Sequence, residues 1–196
     1  SETSPGVLGQ ISFDKRKHGS VGVPLPLTEC KIVDLGDEEK EVEVGEVGQL
    51  IVKGPQVMKG YWKMPEETAM SLREGWLFTG DMARMDEDGY VYIVDRMKDL
   101  IIAGGYNVYP REIEEVLYEH PAILEAVVIG VADAYRGETV KAVVVLKEGK
   151  QLSEGELTAF CKKNLSAYKV PKIIEFRSEI PKTSIGKILR RVLRDE

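Results

Sequence analysis

The chain has 196 residues, 43% of them hydrophobic and 31% charged, with a formal net charge of -6. This is ordinary globular composition with room for one large or two small domains, and the acidic balance gives no general attraction to nucleic acid. Cys30 and Cys161 are too few for a disulfide framework and lie at no metal-ligand spacing, which suits a reducing compartment. No apolar run reaches the length of a membrane span and no signal-peptide pattern is read at the start. The opening at Ser1 reads as a boundary inside a longer chain.

Charge is unevenly placed. Between Lys162 and Arg194 there are ten basic side chains, opposed only by Glu175 and Glu179. Such an end fits a phosphate-rich small molecule, and it fits a solvated helix face equally well.

In chain order, residues 10–13, 29–34 and 47–53 are short β-prone runs separated by Gly, Pro and charged turns. Asp86-Glu87-Asp88-Gly89 separates runs 82–85 and 90–94, a hairpin pattern whose Gly takes positive φ. A calcium loop is excluded there, because the later ligand positions and the distal Glu are missing. The pattern changes near Asp95-Arg96-Met97-Lys98. Residues 100–103 and 107–109 flank a Gly104-Gly105 turn, and Pro110 opens a helix whose apolar face carries Ile113, Val116, Leu117 and His120. Residues 126–131 and 140–146 read as buried Val-rich strands. Ser153 and Glu156 form a capping box ahead of a helix with Leu157, Phe160, Cys161 and Leu165 on one stripe. A strand at 173–176 and a short basic helix at 188–193 complete the chain. The expected fold is α+β: a β-rich, barrel-like portion over 1–96, then a small α+β domain over 97–196.

Three segments place a polar group beside residues that free the backbone. Thr79-Gly80-Asp81 follows the apolar Trp76-Leu77-Phe78, and a carboxylate held by such a turn can accept two hydrogen bonds from a sugar diol. The tripeptide also fits a plain turn. Asp95-Arg96-Met97-Lys98-Asp99 precedes Gly104-Gly105-Tyr106-Asn107; Arg96 suits a phosphate or ribose and the paired glycines allow close approach, while a charged turn and a simple hairpin account for the same residues. Pro181-Lys182-Thr183-Ser184-Ile185-Gly186-Lys187 is not a phosphate loop, since Pro181 stands where Gly is needed and no Ser or Thr follows Lys187. Lys187 on a Gly-bearing loop suits a mobile point charge as well as a surface lysine.

Taken together and in this order, these segments resemble the adenylate-forming superfamily of acyl-CoA synthetases, luciferases and peptide-synthetase adenylation domains. Ser1-Glu2-Thr3-Ser4-Pro5, the run from Gly45-Glu46 to Gly60-Tyr61, Trp76-Leu77-Phe78-Thr79-Gly80-Asp81, the Asp95 to Asn107 segment and the final lysine loop carry the resemblance, which spans nearly the whole chain. It is similar above all to the C-terminal part of a long-chain fatty-acid–CoA ligase. The resemblance implies an AMP-forming acid–thiol ligase that uses ATP, Mg2+ and CoA, with small molecules as its partners and an upstream large domain as its intramolecular one. It implies that Glu2 helps bind magnesium, that Asp81 accepts the ribose hydroxyls and that Arg96 contacts the same nucleotide. Lys98 is then the hinge, Gly104, Gly105 and Tyr106 line the pantetheine tunnel, and Lys187 contacts carboxylate and α-phosphate during adenylation. The family's phosphate loop and most of its acyl pocket lie upstream of the Glu2 motif, so this chain alone is expected to be inactive. A cytoplasmic enzyme is implied, with peripheral membrane attachment left open.

The wording Gly-Gly-Tyr-Asn-Val-Tyr-Pro looks more like fatty-acyl and aryl CoA ligases than like peptide-synthetase domains; a fatty acid is the favoured substrate, with an aryl or coumarate-type acid as the alternative. A noncatalytic nucleotide- or partner-binding module is the reading from another class, and an adenylate destined for oxidation or carrier loading is a third. His18 and His120 read as a surface and a helix-terminal residue.

Overall fold

Gly, Pro and acidic turns cut the first half of the chain into short strands, while the second half has longer Val-rich runs. The computed structural model describes residues 1–195, which divide into two units, Ser1–Lys98 and Asp99 onward.

In the first unit, β1 (Leu8–Gly9) and β2 (Val23–Pro24) form an antiparallel ribbon. Then come β3 (Glu29–Val33), β4 (Gly48–Lys53), α1 (Pro65–Ser71), β5 (Leu72–Arg73), β6 (Trp76–Met85) and β7 (Val91–Arg96). The last five strands make one antiparallel sheet in which β4 lies on one side of β6 and β5 and β7 on the other. Ile32, Leu50, Val52, Leu77, Ala83 and Val91 form its core. The expected strand at 10–13 is displaced. Gly22, at φ +98°, lies so close to Gly9 that a Cβ there would sit 2.1 Å from the Gly9 carbonyl oxygen. That approach fixes the pairing at Leu8–Gly9, and Phe13 instead points outward, 81% exposed, with the Arg16 guanidinium 4.1 Å above its ring. Helix α1 was not legible beforehand. Pro65 and the acidic pair Glu66 and Glu67 are regular start signals, but none of its residues is buried, so it shows no apolar stripe.

The acidic hairpin turn has the expected Gly89 at φ +80°. It holds a lysine. Lys17 Nζ donates to Asp86 Oδ2 and Asp88 Oδ2, each at 2.6 Å, and Tyr92 donates to Asp86 Oδ2 at 3.1 Å. The Lys17 ammonium holds the Asp86 carboxyl down to about 2. A carboxyl depressed on folding stabilises above its unfolded value and loses that contribution as pH falls through its folded one. Lys17→Ala is therefore expected to destabilise the chain at neutral pH, with the gap to wild type closing between about pH 4 and about pH 2. Urea unfolding at a series of pH values measures that gap; a gap constant down to about pH 2 would remove the Asp86 assignment.

The second unit opens on the last residue of a single 3-10 turn, Met97–Asp99. It contains β8 (Ile101–Ala103), β9 (Tyr106–Val108), α2 (Pro110–Tyr118), β10 (Ile123–Asp133), β11 (Gly137–Leu146), α3 (Glu154–Asn164), β12 (Ile173–Arg177) and α4 (Arg190–Arg194). β11 is central: antiparallel to β10, parallel to β12 and touching β8 where Gly137 meets Ala103. Both faces of this sheet are covered. Ala126, Val128, Val140, Ala142 and Val144 pack with Ile113 and Leu117 of α2 and Leu157 and Cys161 of α3. The alternate residues Val127, Ile129, Val143 and Val145 pack with Ile180 and with Leu193 of α4. Each buried valine contributes roughly 1.5–3 kcal/mol relative to exposure. The expected Pro110 start and the Ser153 capping box are both present, Ser153 Oγ accepting from the Glu156 N–H while the Glu156 carboxylate accepts from the Ser153 N–H. His120 lies just past α2, edge-on to the Phe160 ring at 4.9 Å. The short basic helix begins two residues later than expected, because Ile188 and Leu189 close the preceding loop.

Candidate functional site

Thr79-Gly80-Asp81 interrupts the pairing of β6 with β4. Gln49 pairs with Met82 and Ile51 with Phe78, so these three residues face Leu50 alone, a wide irregularity of the ladder. Gly80 makes it possible at φ +70°, in the left-handed region that favours glycine. Thr79 fastens it: its Oγ1 donates to the Leu50 carbonyl at 2.7 Å and accepts from the Asp81 N–H at 3.1 Å. Asp81 is thereby set opposite Arg96 of β7, with Oδ1 3.5 Å from the guanidinium Nε. Burial pushes the Asp81 carboxyl above its ordinary value, and the charges of Arg96 and Lys98 pull against that rise.

These groups line a cleft of about 630 Å³ within the first unit. Its polar wall holds Glu2, Tyr61, Thr79, Asp81, Arg96 and Lys98, and its apolar wall includes Val7, Leu50, Val52, Leu77 and Ile93. A mostly apolar cleft of this size with a few convergent polar groups is the usual form of a small-molecule site. Glu2 is held by two contacts from the segment before α1: Tyr61 Oη donates to Oε1 at 3.1 Å, and the Met58 N–H donates to the Glu2 carbonyl at 2.8 Å. Its carboxyl is lowered first by its own backbone N–H, with the Tyr61 hydroxyl acting in the same direction. Tyr61 carried no role in the sequence reading; only its place after Gly60 marked it. Among the described residues no three His, Cys, Asp or Glu side chains converge as a metal cage. A magnesium ion beside Glu2 would then take most of its oxygen ligands from phosphate and water, the usual habit of that ion.

The remaining expected residues belong to the second unit. Gly104 (φ +62°) and Gly105 (φ +84°) are the two central residues of the turn between β8 and β9, the mirror-image turn that fits the twist of a tight hairpin. The Gly104 N–H donates to the Arg136 carbonyl at 2.9 Å, and the Tyr106 ring stacks on Tyr168 at 4.7 Å. Tyr168 is a neighbour the sequence reading missed. Lys187 is exposed on the loop 182–188, whose legs are tied by Thr183 N–H to Lys187 carbonyl at 2.8 Å and Lys187 N–H to Thr183 Oγ1 at 3.1 Å. Gly186, at φ +80°, makes the loop's bend. The basic end of the chain is mostly paired. Lys169 meets Glu112, Arg177 meets Glu175, Lys182 meets Glu125 and Arg190 meets Glu114. The Lys187 ammonium makes no hydrogen bond or ion pair among the described residues. Ile188, beside it, packs with the α4 cluster on one sheet face, whereas Tyr106 stacks on Tyr168, which packs with the α2 and α3 cluster on the other.

The chain matches two family models, the AMP-binding enzyme over residues 1–62 and the AMP-binding enzyme C-terminal domain over residues 112–187. It is 59% identical over 197 residues to a long-chain-fatty-acid–CoA ligase of Bacillus subtilis, covering 100% of this chain and 35% of that protein. It is 46% identical over 195 residues to a feruloyl-CoA synthase of Amycolatopsis sp, covering 99% and 39%. Among solved structures, o-succinylbenzoate CoA synthetase of Bacillus subtilis in complex with its acyl-adenylate intermediate aligns at TM-score 0.84 and 42% identity, over 92% of this chain and 36% of that one. The chain belongs to the AMP-binding, adenylate-forming enzymes, in their acyl-CoA ligase family. It spans about a third of the length of the relatives it matches.

The paired positive φ angles give a direct test of the glycine turn. Gly105→Ala places a Cβ in the left-handed region and is expected to cost about 1–2 kcal/mol of stability, with Gly105→Asn costing less. Urea unfolding measures both, and equal stability of all three chains would mean that the turn is not held in this form.

Proposed function

We propose that the intact parent is an AMP-forming acid–CoA ligase acting on a fatty acid, in two half-reactions served by different parts of this chain. The observation that carries the reading is the cleft whose wall holds Glu2, Asp81 and Arg96, with the Asp81 carboxylate 3.5 Å from the Arg96 guanidinium. A half-buried carboxylate beside a guanidinium suits a ribose diol, the carboxylate accepting from both hydroxyls while the cation steadies it. Glu2, on the wall of the same cleft, would meet the magnesium ion that accompanies ATP. That ion neutralises phosphate charge when bound; the chain's part is to orient it through a carboxylate fixed by Tyr61.

In the first half-reaction the acid's carboxylate attacks the α-phosphate and pyrophosphate leaves. Lys187 has an exposed, unengaged ammonium on a braced loop, suited to holding carboxylate and α-phosphate together as negative charge develops. In the second, the thiol of CoA attacks the acyl carbonyl and AMP leaves. The turn at Gly104 and Gly105 offers backbone without side chains for the pantetheine arm to lie against, and Tyr106 flanks it. A hinge at Lys98 would bring each element in at its own step. Their neighbours, Ile188 beside Lys187 and the Tyr168 that stacks on Tyr106, pack with clusters on opposite faces of one small sheet, which supports such an alternation. The domains 1–96 and 97–196, a cytoplasmic location and an upstream domain carrying the phosphate loop belong to the same reading.

The feruloyl-CoA synthase relative keeps an aryl acid as a second reading, since the acyl pocket is expected upstream. Pyrophosphate release by the intact parent, with and without CoA, decides between them. Release with fatty acids followed by their CoA thioester is expected, release with aryl acids alone would install the second reading, and none with any acid would leave a nucleotide-binding module. Lys187→Ala is expected to slow adenylation by about a hundredfold or more, and thioester formation from preformed acyl-adenylate far less. Equal losses would end that division of labour. Because burial raises the Asp81 carboxyl above its ordinary value, AMP affinity should fall on acidification sooner than an unperturbed aspartate would allow. Calorimetry across pH checks this, with Asp81→Asn expected to be weaker at neutral pH and flat.

A further inference from the structure

Asp99 is the first residue of the second unit, and its side chain is turned inward at 7% residue exposure. It meets two arginines of α4. Arg194 NH2 is 3.1 Å from Oδ1 and Arg190 Nε is 3.7 Å from Oδ2. Arg190 also forks onto Glu114 of α2, at 2.6 and 2.9 Å, and donates to the Val128 carbonyl of β10 at 2.7 Å. Glu114 completes the set by accepting from the Val128 N–H at 2.7 Å. One part-buried network thus ties Asp99, α2, β10 and α4.

What α4 carries is the lysine loop. Arg190 follows Lys187 by three positions, and the Leu189 N–H donates to the Pro181 carbonyl at 2.9 Å, closing the loop at its base. Apolar contacts of Leu193 would suffice to dock so short a helix. A bidentate Arg pair adds orientation, because the planar fork accepts one geometry, whereas a buried ion pair is weak as a pure source of stability.

We infer that Asp99 is a positioning residue for adenylation: through Arg190 and Arg194 it sets the placement of Lys187 relative to the start of its own unit. The inference rests on the role proposed for Lys187. Misplacing a reacting group by about an ångström costs up to a hundredfold in rate.

The test uses the intact parent enzyme with its half-reactions read separately, as acid-dependent pyrophosphate exchange and as thioester formation from preformed acyl-adenylate. Asp99→Asn is expected to lower exchange by about ten- to a hundredfold and to change thioester formation by less than about threefold. In a Lys187→Ala background the same substitution should change exchange by less than about twofold, since it acts through that lysine. Arg194→Gln, which removes one contact and keeps Asp99, should act in the same direction with smaller effect and serves if Asp99→Asn unfolds at the assay temperature. Equal loss in both half-reactions, or losses that multiply in the double variant, would overturn the positioning role. If Lys187→Ala alone spares exchange, the role of Lys187 has failed, and this inference fails with it for a reason visible in the single variant.

Discussion

The second unit depends on one constraint: β10 and β11 bury both faces. Their valines, alanines and isoleucines alternate between two clusters, so the strands cannot rest against a single layer. Helices α2 and α3 close one side, and the segment from Ile180 to α4 closes the other. The last stretch of chain is therefore core material, and the lysine loop is a bulge in that cover with both ends anchored. Its neighbours can be rigid while its tip stays in water.

The first unit solves a different problem. Its sheet must hold a carboxylate and a guanidinium at strand positions without burying either completely. The three-against-one irregularity at Leu50 does this, spending a regular stretch of ladder to turn Asp81 toward the cleft. Cross-strand pairing then supplies Arg96, and Thr79 keeps the distortion from relaxing.

Much of this was legible in the sequence because the signals were local. Pro110, the Ser153 and Glu156 box, the Gly104-Gly105 turn and the Val-rich strands each announce their conformation within a few residues. The candidate residues were found by the order of short motifs, and the partners that hold them were not. Tyr61 beneath Glu2, Tyr168 beneath Tyr106 and the Arg194 that meets Asp99 join positions 59 to 95 residues apart, with no periodicity linking them. The 10–13 strand was misplaced for the same reason: the contact that fixes the ribbon is Gly22 on Gly9, and spacing does not reveal it. Helix α1 escaped because a helix with no buried face writes no pattern.

Each unit also contains a single cysteine, half-buried Cys30 in the sheet of the first and Cys161 in the α3 layer of the second. Burial pushes both thiols up to about 11, so at neutral pH neither offers much thiolate to an alkylating reagent while its unit stays closed. Alkylation would then proceed chiefly through molecules that have opened, and the site of the label would say which half had done so. The chain carries two internal clocks, one for the breathing of each unit, with no probe added.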